Sequence, residues 1–119
     1  MPSGSRGLLS WTVHRSSGVS TVVVEGEIDL SVVDALRAAM EQAISQDANV
    51  VVDLGGVTFL DSLGLRLLLE AKRSAEARGG AFSVGSTSAA VERVFEVTGV
   101  GSFFEAGGPA VAPKAAATG

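Results

Sequence analysis

At 119 residues and 46% apolar content, the chain has the size of one domain with a single core. Nine Lys and Arg, scattered along the chain, against thirteen Asp and Glu give a net charge of −4, so no nucleic acid or anionic lipid surface is expected as a partner. One histidine and no cysteine rule out a disulfide framework and leave too few ligands for a zinc site. No uncharged apolar run approaches the roughly 18 residues of a membrane span, and the opening "MPSGSRG" lacks a signal peptide's apolar segment. A cytoplasmic protein without direct membrane contact is expected, with residues 1–7 as a flexible N-terminus.

"LLSWTVH" alternates, with Leu9, Trp11 and Val13 on one face and Ser10, Thr12 and His14 on the other, which is the period of a half-buried strand. "RSSG" is turn chemistry. "TVVVEG" from Thr21 is β-branched without alternation and predicts a strand covered on both faces, paired antiparallel with the first. After "GEIDL", Ser31 and Asp34 resemble a capping box, and Val33, Leu36, Met40, Ala43 and Ile44 line one face of a helix ending near Gln46. "NVVVDLGG" reads as a central strand that ends at its glycines and runs parallel to the second.

A second helix is predicted from an N-cap at Ser62 to about Arg78, stopped by Gly79 and Gly80. "AFSVG" is a short strand. "STSAAVERVFEVTGVG" holds a third helix, with Val91, Val94 and Phe95 facing inward and Gly99 ending it. Phe103 and Phe104 are expected to pack the end of the fold. From Gly107 the chain is small, proline-dotted and aperiodic, the composition of a disordered tail over 107–119.

Strands alternating with helices predict a mostly parallel sheet, whose functional rim lies beyond the carboxyl ends of its strands. Glu27, Asp29, Asp53, Asp61 and Ser62 are expected to meet there. Each has a plain structural role available: Ser62 as a cap, Asp61 as a favourable charge at the helix start, Asp29 and Asp53 as turn residues. A hydrolase is disfavoured because "LDSLG" has Leu60 where a nucleophile elbow has its first glycine, and because His14, on the polar face of a peripheral strand, is a poor base. A carboxylate magnesium site lacks the phosphate-cradling loop that would supply its substrate. No catalytic residue, metal or cofactor is expected.

Leu65, Leu68, Ala71 and Ala75 suffice as the core stripe of the second helix. Leu63 and Leu67 add a second stripe beside it. Such a stripe is either buried between neighbours or a docking patch next to Ser62.

"GEIDLSVVDALRAAM", "VVVDLGGVTFLDSLGL" and "VERVFEVTGVGSFF" resemble, in order and spacing, the STAS-domain family of bacterial anti-sigma factor antagonists. The resemblance covers about residues 8 to 104, and "DLGGVTFLDSLGL" is its most specific block. It implies an α/β, STAS-like fold over 8–106: a mixed, mostly parallel sheet of four to five strands with helices packed on one side. It also implies a regulatory protein rather than an enzyme. Family members are phosphorylated on the serine of the "DS" pair, here Ser62, by an anti-sigma factor that is itself a serine kinase using ATP. Unphosphorylated, they bind that anti-sigma factor and free a sigma factor; a phosphatase acting on the phosphorylated serine resets the cycle. The implied partner surface comprises Asp29, Asp61, Ser62, Leu63, Arg66 and Leu67. The chain departs from the commonest pattern at Leu63, where a second small hydroxyl residue is frequent, and at Arg66, often small. The competing expectation is a STAS adaptor subunit of a membrane transport system, with no regulatory phosphosite.

Overall fold

The β-branched runs of the chain pair side by side in the order in which they occur. The structure, a computed structural model, describes residues 3–108. Its elements are β1 (Ser3–Arg6), β2 (Leu9–Ser16), β3 (Val19–Ile28), α1 (Val33–Gln46), β4 (Asn49–Leu60), α2 (Ser62–Ala77), β5 (Ala81–Thr87), α3 (Ala89–Thr98) and a 3-10 turn at Gly101–Phe104. The described strands form one five-stranded sheet in the order β1-β2-β3-β4-β5. The first three pair antiparallel, and β3, β4 and β5 run parallel, joined by α1 and α2.

Two expectations change at the sheet. Ser3–Arg6, expected to be a flexible end, is an edge strand, with Arg6 opposite Leu9 and Ser3 opposite Thr12. Backbone pairing holds it without an apolar pattern, which is why composition gave no sign of it. The valine run of β3 is not covered on both faces either. Val22, Val24, Val50, Val52 and Leu54 are buried under the helices, whereas Val23 and Val51 on the opposite face are only half-buried. Branched side chains favour a pleated backbone on a half-exposed face as well, so an apolar run is no proof of two-sided burial.

In α1 the buried residues are Val33, Leu36, Met40, Ala43 and Ile44, the face expected from the periodicity. The expected capping box does not form. Asp29 takes both the backbone N–H (2.9 Å) and the hydroxyl (2.6 Å) of Ser31 in a local turn, Asp34 pairs with Arg37 at 2.9 Å, and the helix starts at Val33 without a side-chain cap. Beyond β5, Ser88 caps α3 by accepting from the Val91 N–H while its hydroxyl donates to the Val57 carbonyl, which ties the start of α3 to β4. Gly99 ends α3 in the left-handed region at φ 73°, as expected. Phe104 stacks on Phe95 with centroids 5.2 Å apart and meets Phe82 edge-on at 6.4 Å, closing the core at that end. Gly107 and Gly108 finish a turn in which the Gly108 N–H donates to the Glu105 carbonyl; the rest of the expected tail lies outside the described residues.

At the start of β3, the fully buried Ser20 donates to Asp47 at 2.6 Å, and the Arg15 Nε donates to the same carboxylate at 2.8 Å. This clasp joins the β2–β3 hairpin to the end of α1. The hydrogen bond from Arg15, then that from Ser20, hold the Asp47 carboxyl below its ordinary range. A depressed carboxylate stabilises the fold above its unfolded value, near 3.9, and loses that contribution as pH falls through the lower folded value. Acid titration of unfolding free energy is expected to show the parent more stable than Asp47→Asn at pH 7, with the gap closing below about pH 4. A gap independent of pH would contradict this assignment.

Candidate functional site

Register brings the ends of β3 and β4 together, with Ile28 opposite Leu60, and the Asp61 N–H continues the ladder by donating to the Ile28 carbonyl at 3.3 Å. That bond keeps Asp61 extended, at φ −95° and ψ −178°, and the helix begins one residue later. Asp61 is therefore the N-cap of α2, its side chain accepting from the Gly64 N–H at 2.9 Å. Ser62, expected to be the cap, is instead the first residue of the helix. It is exposed, and among the described residues its hydroxyl has no hydrogen-bond partner. The turn is pressed against the sheet at Gly64, where a Cβ would lie 2.6 Å from Leu60 Cδ1 and 2.7 Å from Ile28 Cγ2. Any side chain there would have to displace Leu60 and Ile28.

Several apolar side chains at this end of the fold are exposed. Leu63, in the same helical turn, is 37% exposed; Phe59, near the end of β4, 47%; Leu30, in the loop after β3, 72%. Between the start of α2 and α3 runs a groove of about 350 Å³ with Ser62 and Asp61 on one side, Arg93 on the other, and Leu60, Leu65, Val94 and Val97 along it.

A family sequence model described as "Mlab, STAS domain" matches residues 11–105. The chain belongs to the STAS-domain family. It is 34% identical over 85 residues to an anti-sigma F factor antagonist from Lysinibacillus sphaericus, covering 68% of this chain and 73% of that one. The crystal structure of an anti-sigma factor antagonist from Mycobacterium paratuberculosis superposes with a TM-score of 0.70 at 31% identity, covering 81% of this chain and 82% of that one. The anti-sigma factor antagonist SpoIIAA, in its unphosphorylated form, superposes with a TM-score of 0.68 at 25% identity over 91% and 92% of the two chains.

Within this STAS domain the residues singled out by sequence separate into three groups. Asp29, Asp61, Ser62 and Leu63 do gather at the rim, and Arg66 lies one turn along α2, 64% exposed in its side chain, with its Nε 3.4 Å from Glu70. Leu67 does not join them: it is 1% exposed and part of the core. Asp53 is also elsewhere. It accepts from the Gly55 N–H at 2.9 Å in mid-strand, and β4 runs on through both glycines to Leu60, about 20 Å further at the usual rise per residue. His14, opposite Thr21 near the start of β3, lies at the other end of the sheet from Ser62 and cannot serve it as a base.

Phe59, Leu30, Arg93 and Val97 were not singled out by sequence. Phe59 was legible in principle: it stands two residues from the buried Val57 in a strand whose inward residues resume at Leu60, a break in alternation that turns it outward. Arg93 and Val97 share a helical face by their spacing of four, but nothing in the sequence shows that this face borders Ser62. Among the described residues no three Asp, Glu or His side chains converge as metal ligands, and no described helix is long and apolar enough to cross a membrane.

Proposed function

We propose that this STAS domain is an anti-sigma factor antagonist switched at Ser62. Unphosphorylated, it binds an anti-sigma factor that is also a serine kinase, and so frees a sigma factor for transcription. Phosphorylation releases the partner, and a phosphatase restores binding. The observation that carries the reading is an exposed serine with an uncommitted hydroxyl on the first turn of a helix, next to the exposed Leu63 and in one groove with the exposed Val97. The names of the relatives supply the partner class, and one solved relative is described by its unphosphorylated state.

In the transfer, the Ser62 Oγ attacks the γ-phosphorus of ATP. The Oγ–P bond forms, the bond to ADP breaks, and the hydroxyl proton passes to a base of the kinase. The product adds about −1.5 to −2 charges at a helix N-terminus, which accommodates an anion through its free N–H groups, so the fold has no need to change. The surface changes sharply. Beside the Asp61 carboxylate, a penalty of about 3 kcal/mol from desolvation and repulsion at the partner contact lowers affinity more than a hundredfold.

In this reading Ser62, Leu63 and Arg66 touch the partner, while Asp61 and Asp29, already committed to backbone and side-chain bonds, shape the two loops that present them. The test is capture of the native partner followed by incubation with ATP and mass spectrometry. The expected result is an anti-sigma factor kinase that modifies the parent at Ser62, leaves Ser62→Ala unmodified, and releases the phosphorylated form. Capture of a transporter ATPase instead, or a kinase partner that phosphorylates only another residue, would overturn the proposal.

A further inference from the structure

The groove beside Ser62 holds a cation with no assigned partner. Arg93 is exposed on α3 and, among the described residues, makes no ion pair or hydrogen bond. The other arginine of this region is committed: Arg66 lies 3.4 Å from Glu70, which also meets Arg37 at 3.5 Å and links α2 to α1. The free hydroxyl of Ser62 and the free guanidinium of Arg93 line the same groove, with Leu60, Leu65, Val94 and Val97 between and around them.

From this arrangement we infer that Arg93 is the internal receptor for the phosphate on Ser62: once phosphorylated, the serine pairs across the groove with Arg93 and bridges α2 to α3. The inference rests on Ser62 being the phosphosite. A phosphoserine extends three acceptor oxygens from the position of the hydroxyl, and a guanidinium offers a planar fork of donors that matches them. The remaining charges nearby set the balance. Asp61, on the same side of the groove as Ser62, repels a phosphate but is engaged by the Gly64 N–H, and the first turn of α2 adds its own partial positive charge. The bridge covers the apolar floor of the groove, so modification withdraws that surface from a partner in addition to adding charge to it. The off state is then a closed groove as well as a repelling one.

The test uses the full chain with phosphoserine built in at position 62 during synthesis, and follows the second ionisation of the phosphate by phosphorus NMR. A cation in contact favours the dianion, so Arg93→Gln is expected to raise that pKa by about half a pH unit, the scale of a surface ion pair. Arg93→Lys is expected to recover part of the shift, because it keeps the charge and loses the fork. The Arg93 Nε–H resonance of the parent is expected to move with the same midpoint. Arg66→Gln is expected to leave the phosphate pKa unchanged. Identical titrations of the parent and Arg93→Gln, or a shift produced by Arg66→Gln instead, would overturn the inference. Because the phosphoserine is installed without a kinase, failure of a kinase to modify Ser62 would count against the functional proposal alone, and failure of the Arg93 shift against this inference alone.

Discussion

Leu67→Glu is expected to unfold the protein, whereas Leu63→Glu, four residues earlier on the same helix, is expected to leave it folded and weakened in partner binding. Leu67 is 1% exposed, and a glutamate there would bury an unpaired carboxylate in the core. The cost, about 4 kcal/mol, is a large share of the total stability of a domain, so the melting temperature should fall by more than about 10 °C or the chain should be recovered unfolded. Leu63 is 37% exposed, and the same substitution there should change stability by no more than about 0.5 kcal/mol. It sets a charge beside Ser62 on the proposed partner surface, so affinity for the anti-sigma factor should drop about tenfold or more, near 1.4 kcal/mol. Thermal melts and partner titrations of the two variants check both halves. A Leu67→Glu protein that melts like the parent would mean that α2 is not seated as described.

The two leucines show where periodicity stops being informative. Both fall in the stripe beside the core seam of Leu65, Leu68, Ala71 and Ala75, and a helical wheel treats them alike. What separates them is the surroundings of α2, which packs on α1 on one side and on β4 and β5 below, so its middle turns are covered over a wide arc while the Leu63 side of its first turn stays open to solvent. The width of the buried arc is a property of the neighbours, and the helix's own sequence does not contain it.

The same limit explains the other departures. In "LDSLG" two adjacent residues are good caps, and local preference cannot choose between them. The choice falls to the ladder bond from the Asp61 N–H to the Ile28 carbonyl, a contact between segments far apart in the chain. The pair Gly55-Gly56 reads as a strand end, yet pairing with the continuing β3 carries β4 through it, with Glu25 opposite Gly56 and a register shift absorbing the irregularity. By contrast, the inward faces of α1 and α3, the β2–β3 hairpin and the glycine stop at Gly99 depend on local pattern or chirality, and the structure has each where the sequence put it.

The identity of the cap changes what substitutions at the proposed switch should do. Were Ser62 the cap, Ser62→Ala would cost about 1 kcal/mol of stability. With Asp61 in that role, the cost moves to Asp61→Ala, and Ser62→Ala, which removes a hydroxyl without a partner, should be close to neutral. Ser62→Asp should be neutral or slightly stabilising, since it adds a negative charge to the first turn of a helix. Binding is expected to follow a different order. Ser62→Ala should keep the affinity of the unphosphorylated parent and escape release by the kinase. Ser62→Asp should lose affinity substantially, though less than the roughly hundredfold expected for a phosphate, because a carboxylate carries less charge and fewer acceptor oxygens. Stability is thus expected to track position 61 and partner affinity position 62. Melting temperatures and partner affinities for the parent and the three variants, measured side by side, separate the two roles. If Ser62→Asp binds as the parent does, the electrostatic switch fails; if Ser62→Ala melts lower by the amount predicted for Asp61→Ala, the serine is holding the helix after all.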